Sequence, residues 1–170
     1  MPIILILSII LHIFALVDIK LIDPGLSISG DNLIEPYEGD TINNTNIYHG
    51  IGKYDPQDGS QYYGNWSYGQ KHGYGTFTFH HKTNRTGIRD YSYKGYYSNN
   101  TMHGYGVYTS YNETYQGYWE NDTRHGIGYS LWKSGTTYNG TWYRNFPNGT
   151  GKYTFANGDT YEGDVFMHKK

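Results

Sequence analysis

The chain has 170 residues, with 13 Lys and Arg against 15 Asp and Glu, and no cysteine. A net charge of −2 gives no general attraction to nucleic acid, and the missing thiols exclude disulfides, thiolate chemistry and Cys-ligated metal. From residue 62 onward the Ile, Leu and Val are only Ile88, Val107, Ile127, Leu131 and Val165, against 18 Tyr, 4 Trp and 5 Phe, so any core there is aromatic.

Residues 1–17 hold the apolar run IILILSIILHIFALV, broken only by Ser8 and His12 and ended by Asp18. It falls short of the ~20 residues that span a bilayer. It reads as a short hydrophobic helix, a secretory signal or an uncleaved signal anchor. The alternative is a hydrophobic strand or helix that caps the domain behind it. Residues 18–36 read as an acidic linker: residues 18–61 carry a net charge of −6, and residues 62–170 carry +4.

From Tyr37 onward one pattern recurs: a tyrosine, a glycine two residues later, and a Gly-x-Gly step about ten residues on. The best copies are YYGNWSYGQKHGYG from Tyr62, YKGYYSNNTMHGYG from Tyr93, YQGYWENDTRHGIG from Tyr115 and YNGTWYRNFPNGTG from Tyr138. A weaker copy starts at Tyr37 and a stub, YEGDVF, at Tyr161; the starts lie 25, 31, 22, 23 and 23 residues apart. A period of this size means a repeat array. Within each copy the Tyr, Gly and Trp alternate on one strand face. Asn44, Gly69, Asn100, Asp122 and Asn145 then stand at a turn, all tolerant of left-handed backbone. The return strand carries Gly-x-Gly, and Asn157-Gly158 predicts a two-residue hairpin turn into the next copy. The repeat glycines are Gly64, Gly95, Gly117 and Gly140 after the tyrosine and the Gly-x-Gly pairs Gly73 and Gly75, Gly104 and Gly106, Gly126 and Gly128, and Gly149 and Gly151. The paired ones make room for rings lying flat on the sheet. The expected fold is all-β: a single elongated, twisted antiparallel sheet of stacked β-hairpin repeats over residues 37–166, with a basic tail at 167–170.

The pattern Y-x-G-x-[WY] followed by h-G-x-G resembles the MORN repeat, with Thr41 at a Trp position and Asn148 at a His position as departures. The resemblance implies non-catalytic hairpin arrays that act as scaffolds, dimerise, or associate with membranes and phospholipid head groups. The family's commonest setting is cytosolic.

Candidate sites arise from the repeat. The aromatic row Tyr62, Trp66, Tyr93, Tyr97, Tyr115, Trp119, Tyr138 and Trp142 is either the core of a single-layer sheet or a groove for a peptide, lipid head group or sugar. The insertion HHKTNRTGIRDYSYK carries Lys82, Arg85, Arg89 and Lys94, which would suit an anionic lipid or acidic partner, or form a solvated loop. Sequons occupy Asn43, Asn65, Asn84, Asn99, Asn112, Asn121, Asn139 and Asn148, eight of fourteen asparagines, which favours N-glycosylation in the secretory pathway over turn chemistry alone. Asn65 and Asn139 have the parity of the face opposite the aromatic row. His49, His72, His103 and His125 recur at one repeat position, where neighbours lie about 9.5 Å apart, too far to share an ion. We expect no metal, no cofactor and no catalytic constellation.

The leading reading is a scaffold or interaction protein of the secretory pathway, extracellular or membrane-attached, with a protein or membrane partner and an edge-paired homodimer. The alternatives are a carbohydrate- or choline-binding surface module and a scaffold on the cytosolic face of a membrane.

Overall fold

A computed structural model describes residues 36–43, 45–81 and 90–166. The apolar run, most of the acidic linker, Asn44, Asn84, Lys82, Arg85, Arg89 and the basic tail lie outside the described residues. Eleven strands form one open antiparallel sheet in strict chain order. They are β1 (Tyr37–Thr41), β2 (Tyr48–Tyr54), β3 (Ser60–Ser67), β4 (Gln70–Phe79), β5 (Tyr91–Ser98), β6 (Thr101–Ser110), β7 (Glu113–Glu120), β8 (Thr123–Trp132), β9 (Thr137–Tyr143), β10 (Phe146–Thr154) and β11 (Thr160–Val165).

A row of glycines runs across the whole sheet. Gly39, Gly52, Gly64, Gly75, Gly95, Gly106, Gly117, Gly128, Gly140, Gly151 and Gly163 are consecutive cross-strand partners, one per strand. The repeat tyrosine lies across this row. A Cβ on Gly75, Gly106, Gly128 or Gly151 would fall inside the ring of Tyr62, Tyr93, Tyr115 or Tyr138. A Cβ on Gly64, Gly95, Gly117 or Gly140 would strike both that phenol oxygen and the facing glycine's backbone. Bare backbone is therefore required on both strands.

The two glycines of Gly-x-Gly do different work, which corrects the expectation that both make room for rings. The first sits in a bulge. His72, Gly73 and Tyr74 together oppose the single residue Asn65, and the same three-to-one count recurs in each later hairpin. Gly73, Gly104, Gly126 and Gly149 have φ between 65° and 94°, a left-handed backbone that disfavours other residues. Bulging disturbs the ladder at the residue opposite, and the carbonyl there accepts a hydrogen bond from the repeat phenol. Tyr62, Tyr93, Tyr115 and Tyr138 donate to the oxygens of Asn65, Tyr96, Tyr118 and Thr141 at 2.9–3.0 Å.

The rings then lock to one another. Tyr37, Trp66, Tyr62, Tyr97, Tyr93, Trp119, Tyr115, Trp142 and Tyr138 form one edge-to-face series with centroids 5.1–5.5 Å apart. Each such pair adds roughly 0.5–1.5 kcal/mol beyond its buried area. The indoles of Trp66, Trp119 and Trp142 reach back to the carbonyls of Gly52, Gly106 and Gly128 at 3.1–3.4 Å. The hairpins that begin at Tyr62, Tyr115 and Tyr138 are thereby tied to their predecessors. The Tyr93 hairpin, with Tyr97 at the Trp position, is tied by the Tyr62–Tyr97 ring contact.

Both turn classes are resolved. Tyr68-Gly69, Asn99-Asn100, Asn121-Asp122 and Arg144-Asn145 are two-residue turns with positive φ at both positions. Asn157-Gly158 departs from expectation. Its loop has three residues: Gly158 donates to Phe155 O, Phe155 donates to Asp159 O, and only the glycine is left-handed, at φ 91°. The Ser134-Gly135 loop is built the same way, with Gly135 at φ 86°.

Gly128→Ala should cost about 3 kcal/mol in urea unfolding, because its methyl must displace the Tyr115 ring. Gly158→Ala, with open space around it and only left-handed strain to bear, should cost about 1 kcal/mol. Equal costs at the two positions would show that the ring does not rest on the glycine row.

Candidate interaction surface

The alternation of each strand sends side chains to two faces. On the first, the eight rings of the aromatic row are the core, at 0–6 % exposure. Tyr37, Tyr48, Tyr54, Phe77, Met102, Tyr108, Trp132 and Tyr153 pack around them. A groove that needs those eight ring faces open finds none.

Two cations of the chain already lie on this face. Lys71 Nζ is 4.9, 5.3 and 6.0 Å from the centroids of Phe77, Tyr62 and Tyr97. Desolvation among those rings lowers its pKa, and the Asp122 carboxylate works in the opposite direction. The Arg124 guanidinium lies 5.0 Å from Tyr115 and 5.2 Å from Trp142 and is paired with Glu113. The faces of Tyr62, Tyr97, Tyr115 and Trp142 are thus already met by the chain's own cations.

Burial pushes the phenols of Tyr62, Tyr93, Tyr97 and Tyr115 well above the ordinary tyrosine range. Neighbouring phenols and Asp122 add to this at Tyr93 and Tyr97, whereas Arg124 opposes it at Tyr115.

The opposite face carries a second aromatic set that the reading of a single aromatic side missed. Tyr63, Tyr74, Tyr96, Tyr105, Tyr118, Ile127 and Tyr129 are 40–65 % exposed there. Tyr74 meets Tyr96, and Tyr105 meets Tyr118, edge to face at 5.4 and 5.5 Å across paired strands. The signal for them lay in the variable positions of the repeat. The x of h-G-x-G gives Tyr74, Tyr105 and Ile127; the residue after Y-x-G gives Tyr96 and Tyr118. Tyr96 and Tyr118 also shield the bulged Gly104 and Gly126.

Lys94 stands on this same face, exposed in β5 between Thr76 and Val107. It comes directly after the inward Tyr93, so strand alternation turns it outward. That separates it from the expected basic loop, whose other three cations lie outside the described residues.

Between β6 and β9 this face has a shallow depression of about 320 Å³, lined by Tyr105, Gln116, Tyr118, Ile127, Tyr129 and Asn139. Gln116 Nε2 donates to the Tyr105 hydroxyl at 2.6 Å. No lining side chain is ionisable near neutral pH.

The sequons spread over both turns and strands. Asn43, Asn99, Asn112 and Asn121 are exposed outside the strands, Asn148 lies in the β10 bulge, and Asn65 and Asn139 lie on the tyrosine face. Asn65 donates its amide to Tyr74 O at 3.0 Å. Two of the repeated histidines meet rings of the following hairpin: His49 meets the turn residue Tyr68 and His125 meets Tyr143 at the end of β9, both at 5.5 Å. Among the described residues no three His, Asp or Glu side chains form a metal-binding group.

The turn residues proved to do more than tolerate left-handed backbone. Asn100, Asp122 and Asn145 also accept hydrogen bonds from Lys71 N, Met102 N and Arg124 N of the preceding hairpin at 2.8–2.9 Å. Their own backbone amides return bonds to the same three residues at 3.0–3.1 Å.

The family model for the MORN repeat matches residues 62–80, 93–114, 115–137 and 138–160, together just over half of the chain. The chain belongs to the MORN-repeat family. No curated protein matches it. MORN repeats are generally modules of protein or membrane interaction, with no catalytic role as a family. The Tyr37 hairpin, outside the matched segments, keeps the MORN register: Gly39 pairs with Gly52, and Tyr37 donates to Asp40 O at 2.7 Å.

Asn100→Gly keeps a residue suited to φ 70° but removes the acceptor for Lys71 N. It should cost about 1 kcal/mol by denaturant titration. A neutral result would reduce that asparagine to turn chemistry.

The buried phenols also fix an alkaline limit. Their pKa is raised in the folded state, so the unfolded chain loses these protons first. Their contribution is full below the ordinary phenol pKa of about 10 and falls as pH rises above it. Phenolate absorbance from the core rings should therefore appear together with loss of the sheet signal in circular dichroism. Ionisation of these rings within an intact sheet would contradict this.

Proposed function

We propose that this MORN array is a scaffold that engages a protein partner through the tyrosine face opposite its core. The observation that supports it most is the concentration of seven large apolar side chains, 40–65 % exposed, on one face of neighbouring strands. A patch of exposed apolar side chains on this scale marks a contact surface more often than chance scatter. Tyrosines are well suited to such a role, because a large rigid ring with a polar tip loses little entropy on binding.

The same proposal places the array in the secretory pathway. It rests on the apolar run at residues 1–17, read as a signal or anchor, the acidic linker of residues 18–36 and the eight sequons. A homodimer through the β11 edge belongs to it as well, and sedimentation showing only monomer at high concentration overturns that part. A second reading, a scaffold on a membrane surface, is favoured by Lys94 amid the tyrosines, a combination suited to an anionic interface.

The test is a variant with Tyr74, Tyr96, Tyr105 and Tyr118 all changed to Thr. Cross-linking in cells that naturally make the chain should lose its protein adducts while the melting temperature shifts by no more than about 4 °C. Adducts retained by the variant would sink the proposal. Sedimentation of wild type, but not of the variant, with anionic vesicles would favour the membrane reading. Gel mobility before and after N-glycosidase checks the compartment, and no downward shift would return the array to the cytosolic setting of its family.

A further inference from the structure

Asn139 is at once a sequon and part of the wall of the depression on the tyrosine face. It stands directly across from Tyr129 in the β8–β9 pairing, and Tyr129 stands across from Gln116 in the β7–β8 pairing. Directly opposed side chains in an antiparallel sheet have Cβ atoms about 5 Å apart. Any group attached to Asn139 Nδ2 therefore emerges between Tyr129 and Lys152, which stands across from Asn139 in the β9–β10 pairing and is paired with Glu162. Asn139 is exposed and points to solvent on this face.

We propose that the depression is the seat of the chain's own N-linked glycan, with the first N-acetylglucosamine of the Asn139 glycan lying against Tyr129 and Ile127. This rests on the secretory reading above. The chemistry of the lining fits such an occupant. Tyr129 and Ile127 offer apolar surface, 40 % and 65 % exposed, to the C–H face of a pyranose. Gln116 and the Tyr105 hydroxyl, themselves hydrogen-bonded, supply neutral polar groups for sugar hydroxyls and the acetamido group. The lining has no charge near neutral pH, so it selects for neither an anion nor a cation. The depression is too shallow to hold a free sugar well, but a covalently attached one has a high effective concentration and needs no association entropy. The glycan would cover the β6–β9 end of the tyrosine face and leave Tyr63, Tyr74 and Tyr96 for a partner.

The test uses the full chain secreted from eukaryotic cells, compared with the same chain made in bacteria. Site occupancy is read by glycopeptide mass spectrometry and stability by thermal melting. The expected result is an occupied Asn139, a Tm lowered by about 2–4 °C in secreted Asn139→Gln, and no change from the same substitution in the bacterial chain. In a secreted Tyr129→Thr background, Asn139→Gln should have no further effect, because the ring that the sugar covers is gone. Trimming the glycan to its first sugar should keep the stabilisation that complete removal loses. An occupied Asn139 whose loss costs the same with or without Tyr129 overturns this inference alone, as does an unoccupied Asn139 in a chain glycosylated elsewhere. A secreted chain with no occupied sequon overturns both this inference and the secretory reading.

Discussion

The structure depends on a phenol ring lying on bare backbone. Tyr62, Tyr93, Tyr115 and Tyr138 each cover a glycine of the following strand, and no side chain of any size can stand between ring and peptide there. This contact replaces the second layer that a sheet ordinarily needs. With five Ile, Leu and Val in more than a hundred residues, no aliphatic layer was available. The rings bury one another edge to face instead, and the glycine row is the groove that lets them lie low enough to do so.

That constraint propagates into the rest of each repeat. A tyrosine lying flat needs an acceptor for its hydroxyl, and the bulge at h-G-x provides one by disturbing the ladder opposite. The bulge in turn needs a left-handed residue, which is why its glycine recurs although no core ring lies on it. Contacts between successive hairpins come from the Trp indole and from the Asn or Asp of the two-residue turn. Stability is therefore close to a sum over nearest neighbours, and a fault in one hairpin is felt mainly by the next.

Much of this was legible in the residues themselves. Alternation of Tyr, Gly and Trp gave the strands and their buried face, and Asn, Asp and Gly after each first strand gave the turns. Three things were hidden, each for a physical reason. Gly73 and Gly75 share a residue type and a parity, yet a bulge between them reverses the face, and a bulge leaves no compositional trace apart from the glycine. Asn157-Gly158 suits both a two-residue and a three-residue loop, and register decides which one forms. The tyrosine face was missed because Tyr74, Tyr96, Tyr105 and Tyr118 stand at positions where the repeat demands nothing. A reading built on what recurs passes over what varies.

Those variable positions are where function has room to act. The ring face is committed to holding the sheet together, and Lys71 and Arg124 already lie over four of its eight core rings. The x positions are the freest to change, and their chemistry is not uniform along the array. On β1 they are Glu38 and Asp40; on β10 and β11 they are Thr150, Lys152, Glu162 and Asp164. Between these polar ends, on β3 to β8, half of them are tyrosine, one on each strand. A surface that merely needed solubility would have carried charge throughout, since nothing in the packing asks for a ring there. Outward tyrosines concentrated on β3 to β8, with charged side chains on both flanks, have the arrangement of a bounded contact surface with a polar rim.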